Sequence, residues 1–172
     1  MNFLELAKRR YSVRSYTPQK VEEDKLKLIL QAAHVAPTGG NRQPQHLIVI
    51  QSQEGLEKLG KAANTFDAPL AILVCSDKEK AWKRPYDDKT LEEIDASIVT
   101  DHMMLQATDL GLGSLWICKF EPNVLREEFK LPSNLQPINL LVIGYAKGEK
   151  KSPNRHDRDR KPLSEVVSYE SI

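Results

Sequence analysis

Cysteine, aromatic residues and net charge are all scarce in this chain, and each shortage excludes something. Two cysteines occur in 172 residues, Cys75 and Cys118, with no Cys-x-x-Cys and no His-rich spacing. Neither a disulfide framework nor a zinc site is therefore expected, and no metal ligands are assigned. Lys and Arg number 25 against 24 Asp and Glu, a formal net charge of +1. That balance argues against nucleic-acid binding through a strongly basic field. No apolar run approaches the ~20 residues of a membrane helix, and the opening Met-Asn-Phe-Leu-Glu places an acid too early for a secretory signal. The expectation is a soluble cytoplasmic protein with free thiols. The length fits a single domain over 1–172, without repeats or low-complexity tracts, holding one ligand per chain at most.

What is present is arginine, in two clusters. Arg9, Arg10, Tyr11, Ser12, Val13 and Arg14 follow an apolar-periodic opening, and Arg155, His156, Arg158 and Arg160 lie near the other end. Guanidinium groups offer permanently charged, forked donors that match phosphate oxygens, and a Ser hydroxyl adds a short neutral donor. Each cluster taken alone reads equally as solvated loop charge. Together they make a two-sided phosphate socket conceivable.

Periodicity organises the rest. Phe3, Leu4 and Ala7 mark a short helix to Arg9, followed by a polar, β-branched segment to Pro18; Leu26, Ile29, Leu30 and Ala33 mark a second helix from Glu22 towards Pro37. The stretch Pro37-Thr-Gly-Gly-Asn-Arg-Gln-Pro44 is dense in turn formers. Strands are expected over 46–50, 69–75, 114–119 and 138–145, with short helices over 54–63 and 122–129. A Lys-rich excursion over 76–90 carries Trp82 and Tyr86, either as a mobile flap or with its aromatics pinned to a neighbouring surface. The helix over 91–110 is apolar on most sides, which one small domain would struggle to cover, so a subunit interface is inferred. Gly111 reads as its C-terminal cap. After Lys147 the chain turns charged, with an apolar remnant at Leu163, Val166 and Val167.

Four segments in this order resemble the nitroreductase family of flavin enzymes, over essentially the whole chain. They are Arg10-Tyr11-Ser12-Val13-Arg14, the loop Pro37 to Pro44, the run Gly111 to Phe120, and the basic pair Arg158 and Arg160 ahead of Pro162-Leu163. The resemblance implies an α+β fold: an α/β/α sandwich with a central mixed, mostly antiparallel sheet flanked by helices. It also implies a homodimer with a flavin site at the subunit interface, and a 147–172 tail that reaches the partner. FMN would be held by Arg10, Tyr11, Ser12, Arg14, Arg158 and Arg160 on the phosphate and ribityl side. Pro37, Thr38, Gly39, Asn41 and Gln43 would reach the flavin bound mainly by the other subunit, and Ile117, Cys118 and Lys119 would lie beside the ring. For the 37–44 loop, plain turn chemistry is the competing reading.

Many members place Glu-Gly or Gly-Ala where this chain has Cys118-Lys119. That is permissive if a backbone N–H meets the flavin, and it removes any carboxylate role there. Cys118 lacks a His partner in the sequence and reads as a buried small hydrophobe in preference to a nucleophile. The implied reaction moves a hydride from NADH or NADPH to the flavin and on to an electron-poor acceptor, a nitroaromatic or quinone. The flavin carries the chemistry, so no catalytic residue is assigned, and Trp82 and Tyr86 are candidates for substrate contact. Two alternatives stay open: a redox-inactive nucleotide- or phosphate-binding protein on the same fold, and a flavoenzyme with another reaction such as dehalogenation or dehydrogenation.

Overall fold

A computed structural model describes residues 2–172. Strand β2 (Leu70–Asp77) is buried along its whole length, because helices cover both faces of the sheet it crosses. The sheet order is β1-β2-β4-β3, with β1 Gln45–Ile50, β3 Gly113–Ile117 and β4 Leu135–Gly144. All three strand pairings are antiparallel. The one parallel element found among the described residues is an isolated bridge from Ser12 to Ser114 on edge strand β3.

Alternation along the strands divides the core in two. Ala71, Leu73 and Cys75 of β2, with Leu140 and Val142 of β4, face helices α3 (Gln53–Ala62) and α5 (Pro122–Glu128), where Leu59 and Leu125 are fully buried. Leu70, Ile72 and Val74, with Leu141 and Ile143, face α2 (Glu23–Val35) and α4 (Glu92–Asp109), meeting Ile29, Val99 and Met103. This is the α/β/α arrangement the sequence implied, and each element falls within a few residues of its expected span. Helix α4 ends as foreseen: Gly111 takes φ 78, its N–H donates to Thr108 O at 3.1 Å, and that of Leu112 to Ala107 O at 2.9 Å. Those two bonds make a Schellman cap, which needs the left-handed residue that glycine supplies.

Helix α1 (Phe3–Arg9) buries none of its residues, although Asn2 and Glu5 close a capping box at its start. Phe3 and Leu4 are mostly exposed beside Met104 and Leu105 of α4. From Arg160 to Ile172 every residue is exposed, including Leu163, Val166, Tyr169 and Ile172. Among the described residues no helix is long and apolar enough to cross a membrane.

Candidate functional site

The tract after α1 runs extended along the outer side of β3. The Val13 N–H donates to Ser114 O at 3.0 Å, and Val13 is buried while Ser12 and Arg14 are exposed. A two-residue period follows. Arg10, Ser12 and Arg14 share one face; Tyr11 and Val13 turn to the other and pack in the core. The hydroxyl and both guanidinium groups of the Arg-x-Ser-x-Arg pattern therefore line up, whereas the Tyr11 side chain, expected at the cofactor, is occupied in packing.

The C-terminal basic cluster meets this tract across some 145 residues of sequence. Arg155 Nη2 donates to Arg10 O at 2.5 Å, and its Nη1 to Lys8 O at 3.0 Å and Ser152 O at 2.9 Å. His156 Nε2 lies 3.2 Å from Lys8 O, and Arg160 Nε donates to His156 Nδ1 at 3.4 Å. The two contacts assign the His156 tautomer: Nδ1 accepts, so Nε2 carries the proton and donates to Lys8 O. Arg155 is thus spent on carbonyls at the C-terminal end of α1, where a cation offsets the helix dipole. Arg160 and Arg10 line one depression of about 390 Å³. Burial first, then the charges of Arg155 and Arg160, pulls the Arg10 pKa below its ordinary value, with Asp101 acting in the opposite direction. The repulsion that Arg155 and Arg160 exert on the partly desolvated Arg10 is one that a nearby anion would relieve.

Arg158 does not join them. Its Nε donates to Asp159 Oδ1 at 2.8 Å in an exposed ion pair. It sits on the four-residue helix α6 (His156–Asp159), two residues from His156 and so about 200° around the axis. Arg155, which shared the sequence cluster but was not assigned to the cofactor, takes the neighbouring place.

Farther along β3, Arg14 and residues 117–119 border a second cleft of about 490 Å³, with Asn64 and Phe66 on its other side. A cleft of this size suits a small-molecule ring. Cys118 corrects an expectation. It lies one residue past the end of β3 and is exposed, not buried, so it lines the cleft instead of filling the core.

The 37–44 loop lies elsewhere in the chain. It enters β1, at the sheet edge opposite β3, so four strand spacings, about 19 Å, separate it from the Arg10–Arg14 tract. Residues 39–41 form a 3-10 turn in which Gly40 and Asn41 take φ 54 and 53, and Gln43 follows at 49. The Thr38 hydroxyl accepts from the Gln43 N–H at 3.1 Å, and the exposed Gln43 amide donates to Asn41 O at 3.3 Å. Pro37 and Asn41 are exposed as well. Trp82 packs against this loop: a Cβ built on Gly40 would meet Trp82 Cδ1 at 3.1 Å. The 76–90 excursion folds as a hairpin, closed by the Lys83–Thr90 bridge and an Arg84–Asp87 ion pair, with Tyr86 almost fully exposed at its tip.

The protein is therefore an α/β/α sandwich with a depression bordered by Arg10 and Arg160 between α1 and α4, and a cleft bordered by Arg14 and residues 117–119 at the edge strand. The profile described as "Nitroreductase family" matches residues 7–66 and 57–145. A solved nitroreductase family protein from Clostridium difficile 630 is 63% identical over 100% of both chains, with a TM-score of 0.98. An FMN-dependent nitroreductase from C. difficile R20291 is 33% identical, covers 99% of this chain and 100% of its own, and superposes with a TM-score of 0.81. A curated protein of Archaeoglobus fulgidus, whose name joins NADH dehydrogenase with NAD(P)H nitroreductase, is 35% identical over 87% of this chain and 88% of itself. The chain belongs to the nitroreductase family, a family of oxidoreductases.

Proposed function

We propose that the protein is an FMN-dependent NAD(P)H oxidoreductase, working as a homodimer in a ping-pong cycle on electron-poor acceptors such as nitroaromatics and quinones. The observation that carries this reading is the alignment of Arg10, Ser12 and Arg14 on one face of an extended segment. The depression bordered by Arg10 and Arg160 lies at its Arg10 end and the Ile117–Lys119 cleft at its Arg14 end. Five extended residues span roughly 13 Å between end positions, a separation suited to a phosphate joined to a planar ring by a short polyol. The FMN dependence of the 33% identical relative supports the same cofactor. When bound, FMN supplies a two-electron carrier between reduced nicotinamide and acceptor.

The chain's own residues bind and orient. Arg10 and Arg160 neutralise the phosphate, Arg155 holds the α1 terminus against them, and Ser12 serves the polyol. Arg14 and Lys119 place positive charge at the cleft, where electron density rises on reduction, and backbone N–H groups at Cys118 and Lys119 serve the ring edge. The distance of the 37–44 loop from this edge strand supports its contribution to the partner's site. The exposed apolar residues of α1 and of the 160–172 tail support burial on a second copy. Charge reversal at Arg10 or Arg160 is expected to leave a folded protein that loses FMN on dialysis. Full flavin occupancy in both variants would refute the phosphate assignment.

A further inference from the structure

The loop assigned to the partner's flavin is held from below by a buried acid. The Gly39 N–H donates to Asp95 Oδ1 at 2.9 Å, and Asp95, in the first turn of α4, is 1% exposed. Its second oxygen, Oδ2, is buried with no hydrogen-bond partner. Gly39 has no room for a side chain: a Cβ there would lie 2.8 Å from Leu91 Cδ1 and 3.2 Å from Trp82 Cβ. Trp82 is fixed in turn, its carbonyl accepting from the Leu91 N–H at 3.0 Å. Immediately after this clamp come Gly40, Asn41 and Gln43, all with positive φ, and Gln43 is a residue that rarely adopts it unaided. Such a run persists only where its surroundings hold it.

We propose that Asp95 is a positioning residue for the flavin site. Through Gly39 it fixes the left-handed turn that presents Asn41 and Gln43, and it does so for the flavin bound mainly by the other subunit. The inference rests on the shared FMN site proposed above. It adds a residue that touches neither flavin nor substrate and that acts across the dimer.

Mixed dimers test it. In the Asp95→Ala homodimer both sites lose a buried hydrogen bond, so the FMN dissociation constant is expected to rise about 10–100-fold. Asp95→Asn keeps an oxygen acceptor for Gly39 and is expected to restore most of that affinity. Co-expression of an Asp95→Ala chain with an Arg10→Glu chain, separated by two affinity tags, assembles one site from intact arginines and an intact clamp. The other site lacks both. The expected result is one FMN per dimer at wild-type affinity, read by quenching of flavin fluorescence. A merely structural role would weaken that site too, because its arginines come from the Asp95→Ala chain. Wild-type FMN binding by the Asp95→Ala homodimer overturns the inference alone, whereas a mixed dimer with no tight site overturns it together with the sharing of each flavin between subunits. A wild-type protein that binds no FMN overturns the flavin reading itself, and this inference with it.

Discussion

Gly113 is where the fold and the proposed cofactor site depend on the same missing atom. A Cβ at this position would lie 2.7 Å from Val13 Cγ2, 3.2 Å from Val13 Cβ and 3.3 Å from Ala146 Cβ. Val13 is the buried residue between Ser12 and Arg14, bonded through its N–H to Ser114 O. In Gly113→Ala the tract must move outward by about 0.7 Å to regain ordinary contact, and overpacking of this kind costs ~1–3 kcal/mol. For a chain of this length that is roughly 2–4 °C in Tm per kcal/mol. The displaced tract carries Ser12 and Arg14 with it, so FMN affinity is expected to fall about tenfold, the equivalent of ~1.4 kcal/mol. Val13→Ala removes the obstructing Cγ2 methyl along with Cγ1, and on its own costs about 1.6 kcal/mol. The double variant is expected to be more stable than the sum of the single effects by ~1 kcal/mol or more, and to recover part of the FMN affinity. Urea unfolding of the apoprotein and flavin fluorescence titration measure both. A Gly113→Ala protein with unchanged midpoint and unchanged affinity would refute the packing argument, and strict additivity with Val13→Ala would refute the contact.

The two thiols should separate cleanly. Cys75 is fully buried and burial pushes its thiol up to about 12, offset only in part by Arg126, whereas Cys118 is exposed. A chromogenic disulfide at neutral pH is expected to titrate one thiol in the native protein and two in denaturant; two fast native thiols would contradict the core placement of Cys75. Because the raised thiol stays protonated in the fold while the unfolded chain ionises, its contribution to stability is complete at neutral pH. It declines as pH climbs through the ordinary thiol range towards 12, by at most ~1.4 kcal/mol per unit; urea midpoints read across that range should follow. Trp82→Ala, which removes the support beside Gly39 and Gly40, is expected to weaken FMN binding. Tyr86→Ala should leave stability within about 0.5 kcal/mol of wild type, since Tyr86 is 93% exposed; comparable losses in both would contradict the hairpin geometry.

Much of this was legible in the sequence where one local pattern carried one physical demand. The apolar run around Leu70–Cys75 could only be a covered strand, and Gly111 could end α4 because its φ must be positive. The alternation of Arg10, Ser12 and Arg14 survives intact, because a two-residue period is a property of extended chain and needs no tertiary knowledge. What escaped depended on contacts between distant segments. Arg155 could not be told from Arg158 by sequence, since the distinction is made by carbonyls at Lys8 and Arg10 and by one short helix turn. Cys118 read as buried because a small thiol without a His partner is usually packed, whereas it lies one residue past the end of β3 and is exposed. Trp82 gave no sign of its place beside Gly39, 43 positions earlier in the chain, and the Asp95 contact to Gly39 spans a comparable gap that no local pattern encodes.

The central claim is that the aligned arginine tract, the socket and the cleft hold FMN for hydride transfer. The direct measurement is the visible spectrum of the purified protein, reconstituted with FMN and titrated anaerobically with NADH and with NADPH. The expected result is a yellow protein with one FMN per chain whose flavin absorbance bleaches with at least one nicotinamide and returns on adding a quinone or nitroaromatic. A colourless protein that takes up no FMN, or a bound flavin that neither nicotinamide reduces, would contradict it.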